Sequence, residues 1–338
     1  MADHRRITAA SMSRRHVMGA GAALATMLAA DRAFAGDSKG GPSCRKSSPS
    51  DIGLTGPFID LTTPEGNVEA FARISGDTNP AATSHSWYRG RVTGQRPGEA
   101  ARDLMGIIGM GTVRMLPLEG RSGYQMLRKE LGFFVDLDSG AVLDRWTNPY
   151  SNEEVTVDHI ANPSINLEIK PFIGETGLYE EVDPEKARPL LLDWTVVGDR
   201  AITDRHANLW VKNPLDPAIW KRESSGPMIA ISDSNVFNVL LADLQNPALT
   251  KVPGQGHWVH QRPWQPWMLM GQEDGFISYN CVTGTAGCLN DLPAQIVELA
   301  RERFPDFLVA PTEVTKAESS LARYMRTLQP APPRVDAK

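Results

Sequence analysis

His257-Trp258-Val259-His260 opens the stretch richest in reactive side chains, GHWVHQRPWQPWMLMGQEDGFISYNC at residues 256–281. An H-x-x-H pair can hold a metal when a helix brings both imidazoles to neighbouring positions. Gly256, Pro263 and Pro266 argue against a helix here, and on a strand two residues three apart point to opposite faces. Completing a metal site would require His85, His159 or His206 plus a carboxylate such as Asp204 from distant strands. The sequence therefore assigns no metal and no other cofactor. Two further histidines suit acid–base work. His159 follows Val155 and Val157 on one face of EVTVDH, and His206 alternates with Asp204 and Asn208 in ITDRHANLW. The second set is a base oriented by a carboxylate if it faces inward, and a solvated row if it faces out. Arg128 and Glu130 in MLRKELGFFVD share a face, either as orienting groups for catalysis or as a structural ion pair. Trp146, Asn148, Trp264, Trp267 and Met268 are candidate ligand walls, with core filling as the competing role for the large side chains.

These groups need a scaffold, and the text from about residue 85 to 283 is one of short strands and turns. Asn-Pro recurs at 79/80, 148/149, 162/163, 213/214 and 246/247, each pair discouraging helix. INLEIK alternates strictly, and DLDSG between FFV and AVL reads as a hairpin turn. Strands are expected at 104–116, 123–136, 141–147, 190–197, 200–212, 234–243, 264–271 and 275–282. GIIGMG at 106–111 is spaced unlike a dinucleotide loop and reads as a bulged or closely packed strand. Thr63-Pro64-Glu65 starts a short helix ending near Gly76, and LPAQIVELARERF carries Ile296, Val297, Ala300 and Phe304 on one helical face. A further helix is expected in TKAESSLARYMRT. About ten strands without regular helices between them point to a mainly β fold, an antiparallel meander closing into a barrel, with a β-sandwich as the alternative. One β-rich domain is expected at 57–328, after a flexible linker at 36–56 and before a disordered tail at 329–338.

Residues 1–35 are of another kind. SMSRRHVM, the Ala-rich run GAGAALATMLAA and Ala33-Phe34-Ala35 resemble a twin-arginine export signal, expected to be cleaved after Ala35, with an ordinary Sec signal as the alternative. Its removal takes five arginines and two aspartates, moving the net charge from −5 to −8. The expected location is the periplasm, and the export machinery is an expected partner. An acidic surface without a basic stripe argues against nucleic acid, and no later apolar run is long enough for a stable membrane anchor. Cys281 and Cys288 flank VTGTAG, a hairpin-like turn across which they could form a disulfide, or they are free thiols. Cys44 sits in a polar linker and lacks the apolar residues that precede a lipidated cysteine.

RKELGFFVDLDSGAVLDRWTNPYSNEEVTVDHIANPSIN (128–166) and WQPWMLMGQEDGFISYN (264–280) resemble the family catalogued as domain of unknown function 1838, over roughly residues 58–326. The resemblance implies a lipocalin-like or related β-rich fold and by itself assigns no activity. No nucleophile elbow, phosphate loop or C-x-x-C is present. The resulting expectation is a periplasmic β-barrel that binds a hydrophobic or aromatic small molecule. It would act as a cofactor-independent lyase, isomerase or hydrolase by acid–base chemistry. The alternative is a binding or carrier protein without turnover.

Overall fold

The computed structural model describes residues 53–174 and 185–334. Residues 1–35 and Cys44 lie outside the described residues. The chain enters through α1 (Pro64–Ser75), where the Thr63 hydroxyl accepts from the Gly66 amide, Pro64 fills the first turn and Gly76 ends the helix.

The strands then follow in order: β1 (Ser84–Gln95), β2 (Arg102–Pro117), β3 (Tyr124–Val135), β4 (Arg145–Asn148), β5 (Glu153–Thr156), β6 (Ile160–Ile169), β7 (Phe172–Ile173), β8 (Arg188–Pro189), β9 (Asp193–Val197), β10 (Arg200–Lys212) and β11 (Met228–Leu240). After α2 (Leu241–Leu244) come β12 (Gly254–Arg262), β13 (Phe276–Ala286), α3 (Ala294–Arg303) and α4 (Ser320–Thr327).

Nine strands form one antiparallel sheet in the order β6-β3-β2-β1-β13-β12-β11-β10-β9, and β4-β5 and β7-β8 are separate hairpins. The sheet curls into a half-barrel whose two edge strands do not pair, so the expected barrel is not closed. A sandwich is also excluded for this sheet, because its strands form a single layer. Both edges are managed in other ways. β6 carries Pro163, a residue that edge strands tolerate. Its outer side meets the C-terminal segment, where Ser164 bridges Glu318 and the Ala161 amide donates to Ser320 Oγ. β9 is only five residues long, and a short edge offers little template for another chain.

The concave face is packed at both ends and hollow between them. At one end Phe71 of α1 sits against Val113, Met115, Met126 and Leu167, with Phe237 reaching it from the opposite wall. At the other end Trp264, Trp267 and Met268 pack with Phe134, Tyr279 and the β4-β5 hairpin. The expected strand at 264–271 is instead a 3₁₀ turn at Pro266–Met268 followed by Leu269 at φ +56°. Pro266 pre-sets the first φ of that turn and withholds an amide from any ladder. The strand lies just upstream as β12 and contains H-x-x-H.

Gly109, the middle glycine of GIIGMG, has a packing reason. A Cβ on Gly109 would lie 1.9 Å from the Tyr88 ring, and one on Gly132 would lie 2.4 Å from its hydroxyl. Tyr88 lies flat across β2 and donates to the Leu131 carbonyl at 3.0 Å. Only bare backbone leaves room for the ring.

Candidate functional site

Three adjacent strands interrupt their inward apolar rows at matching heights. On β11 the inward positions are Ile229, Ile231, Asp233, Asn235, Phe237 and Val239, so two polar residues sit mid-row. Asp233 pairs in register with His260 of β12 and Ala207 of β10, and Asn235 with Trp258 and Arg205. Period-two geometry thus delivers an aspartate, an asparagine, an arginine, a histidine and an indole to one spot on the concave face.

Asp233 is the hub. Its Oδ1 accepts from Trp258 Nε1 at 2.6 Å and lies 3.0 Å from His260 Nδ1. Its Oδ2 accepts from Asn235 Nδ2 at 2.9 Å and lies 3.8 Å from an Arg205 terminal nitrogen. Burial alone would raise this carboxyl. The hydrogen bonds from His260 and Trp258 and the charge of Arg205 outweigh burial and hold it below the usual carboxylate range. With Nδ1 turned to the carboxylate, the opposite ring nitrogen of His260 faces the cup. An imidazole whose Nδ1–H donates to a carboxylate leaves Nε2 bare, the arrangement a general base requires.

Two cavities share this wall. The larger, about 360 Å³, runs toward α1 and is lined by Phe71, Ile74, Met126, Ile165, Leu167 and Phe237, with Arg128, Glu130, Arg205, Asp233 and His260 at its polar side. The second, about 260 Å³, runs toward the Trp267 end and is lined by Arg262, Gln265, Trp267, Tyr279 and Tyr324. Glu130, Ile231, Trp258 and His260 line both. Trp258 stacks on Tyr279 at 5.7 Å and meets Tyr88 edge-on at 5.2 Å, giving the waist an aromatic floor. Burial pushes the Tyr279 phenol up to about 12, so it stays protonated at neutral pH.

The residues singled out from sequence divide by location. Arg128 and Glu130 do line the larger cavity, 3.4 Å apart, and Asn162 Nδ2 donates to the second Glu130 oxygen at 2.9 Å. His206 is on the opposite face of β10. It is 61% exposed and bonded to Asp204, so the row Asp204-His206-Asn208 is the solvated one. His159 lines neither cavity; it is buried between Phe133 and Phe134, and its Nδ1 accepts from the Phe134 amide at 3.2 Å. Trp267 lines the second cavity. Trp264, Met268 and Asn148 are buried structural groups: Trp264 Nε1 donates to the Glu273 carbonyl at 3.0 Å, and Asn148 Nδ2 donates to the Met268 carbonyl at 2.8 Å. Trp146 packs edge-on against Trp267 at 5.7 Å rather than facing either cavity.

His257 and His260 separate as strand geometry requires, the first exposed and the second in the cup. Among the described residues no three His, Cys, Asp or Glu side chains are grouped to hold a metal. Cys281 and Cys288 are both free. VTGTAG is not a hairpin but the body of β13, and at about 3.3 Å per residue an extended run of seven residues holds its ends far beyond disulfide reach.

His159 makes its own prediction. Burial, then the Arg303 charge, lowers its pKa from 6.5 to about 4. The folded value lies below the unfolded one, so the stabilisation is complete above pH 6.5 and is lost as pH falls toward 4. About 3 kcal/mol should disappear across that window. Urea titrations of wild type and His159→Asn, whose Oδ1 can still accept from Phe134, check this: the variant should show a flatter slope between pH 6.5 and 4.

Fold and site together define a class: an antiparallel half-barrel that carries an Asp-His pair in a two-chambered aromatic cup. By sequence, the chain belongs to the family described as Protein of unknown function (DUF1838), whose model matches residues 81–328. Among curated proteins none matches it.

Proposed function

We propose that this protein is an acid–base enzyme acting on a hydrophobic or aromatic small molecule held in the half-barrel. The cup would be used in the manner of a lipocalin interior. The observation that carries this reading is the Asp233–His260 pair at the waist shared by two largely apolar chambers. His260 Nε2 takes a proton from the ligand, and Asp233 stabilises the imidazolium that results. The imidazolium of His260 can then return that proton to another atom of the ligand, while Glu130, held by Arg128 and Asn162, lines the same waist as a fixed negative charge. Such a pair suits an isomerase or lyase, and also a hydrolase if His260 activates water. Export through the twin-arginine route to the periplasm is part of the proposal and rests on residues 11–35 of the sequence.

The test is to incubate purified protein with a small-molecule extract and to compare ions by mass spectrometry before and after. Conversion of at least one hydrophobic compound into a new species is expected. Release of an unchanged compound on denaturation, with no conversion of anything in the extract, would replace the enzyme by a carrier.

A further inference from the structure

We propose that Arg262 is the recognition site for a carboxylate, and that the ligand is an apolar or aromatic carboxylic acid lying along the cup. This rests on the reading of the cup as the ligand site. The other acidic, basic and imidazole side chains around the two chambers have partners: Arg128 with Glu130, Asp158 with Arg323, His260 and Arg205 with Asp233. Arg262 differs. It is half-buried in the second chamber, its Nε is sealed from solvent, and it meets no acceptor there. Burial lowers its pKa, the mark of a cation held without full compensation. A protein that leaves an arginine uncompensated within reach of a cavity gives up stability there, and a bound anion would restore it.

Its chemistry and position narrow the ligand. One uncompensated positive charge balances a monoanion, and a guanidinium fork matches a carboxylate through two parallel hydrogen bonds. Arg262 lies two residues from His260 on the same face of β12, so their Cα atoms are about 6.6 Å apart along the strand. A carboxylate gripped by Arg262 therefore sets the first carbons of its tail beside the imidazole. The tail then continues past Trp258 into the larger chamber toward Phe71 and Leu167.

Benzoate, 3-phenylpropanoate, octanoate and dodecanoate, each beside its primary amide, are titrated into wild type and Arg262→Gln by calorimetry, with inorganic phosphate as a further ligand. At least one acid is expected to bind ten or more times tighter than its amide, with phosphate much weaker. Arg262→Gln should bring that acid down to the amide's affinity, while the melting temperature of the ligand-free variant equals or exceeds wild type. Acid and amide binding alike, phosphate binding as well as the acids, or undiminished acid binding by Arg262→Gln would each overturn the proposal. So would a drop of several degrees in the ligand-free variant, which would make Arg262 a structural residue. Turnover is not read in these titrations. Acid binding lost in Arg262→Gln stands even if His260 does no chemistry, whereas His260-dependent conversion of a neutral compound, with no acid preference, removes the carboxylate and leaves the acid–base reading intact.

Discussion

Replacing His260 by Gln should lower kcat by about 10²- to 10⁴-fold on the compound that wild type converts, the range expected when a positioned acid–base group is lost. Glutamine keeps most of the side-chain volume and can still hydrogen-bond Asp233, so the melting temperature should change by only a few degrees. Asp233→Asn should cost a comparable factor by another route. The carboxylate accepts from Nδ1, Trp258 and Asn235 together. An amide there can donate, so the imidazole loses the partner that keeps the proton on Nδ1 and the lone pair toward the cup. His206→Ala and His159→Asn, both outside the cup, should leave turnover within about twofold of wild type. Steady-state kinetics of the four variants checks the set. Undiminished turnover in His260→Gln would remove the proposed base.

Much of the scaffold was legible in the sequence for local reasons. Thr63-Pro64 and the strict alternation of INLEIK carry their structure in three or four residues, and α1 and β6 appear where those signals place them. Closure of the barrel was not legible, because it depends on how β6 and β9 end rather than on any local pattern. The site was legible only in part. Arg128 and Glu130 stood out as a same-face pair and do line the cup. His206 stood out for the same reason and faces solvent, since alternation marks two faces without saying which is buried. Asp233 was missed although its signal is present: in Ile229-x-Ile231-x-Asp233-x-Asn235-x-Phe237-x-Val239 the polar pair breaks an otherwise apolar face. His260 was noticed as half of a metal motif, and its partner stands on a strand whose pairing register no local pattern reveals.

The largest stability effect expected is at Arg73, in α1. This fully buried guanidinium donates to the carbonyls of Leu249 at 2.7 Å, Leu244 at 2.9 Å and Asn246 at 2.6 Å, around the C-terminal end of α2 and the turn after it. It faces no carboxylate at hydrogen-bond distance; carbonyl oxygens at a helix end carry partial negative charge and take that role. Arg73→Met fills the space but takes the donor from all three carbonyls; Asn246 keeps the Leu249 amide, whereas the Leu244 and Leu249 carbonyls are left without a partner, at about 1–3 kcal/mol each. The expected loss is on the order of 3–5 kcal/mol, a large share of the ~5–15 kcal/mol that holds a domain folded. Arg91→Ala, which removes the exposed pair with Asp103, should cost at most ~1 kcal/mol. Urea unfolding of both variants separates the cases. A loss at Arg73 no larger than at Arg91 would mean that the carbonyls are satisfied without the guanidinium.

The nitrogen spectrum of the His260 side chain tests the central claim, that Asp233 sets this imidazole as a base facing the cup. Long-range ¹⁵N–¹H correlation on labelled protein, assigned by loss of the signals in His260→Gln, reads the tautomer without any substrate. In the neutral ring Nδ1 should carry the proton and Nε2 should be bare, and Asp233→Asn should disturb that pattern. A proton on Nε2 in wild type, or a pattern untouched by Asp233→Asn, would contradict it.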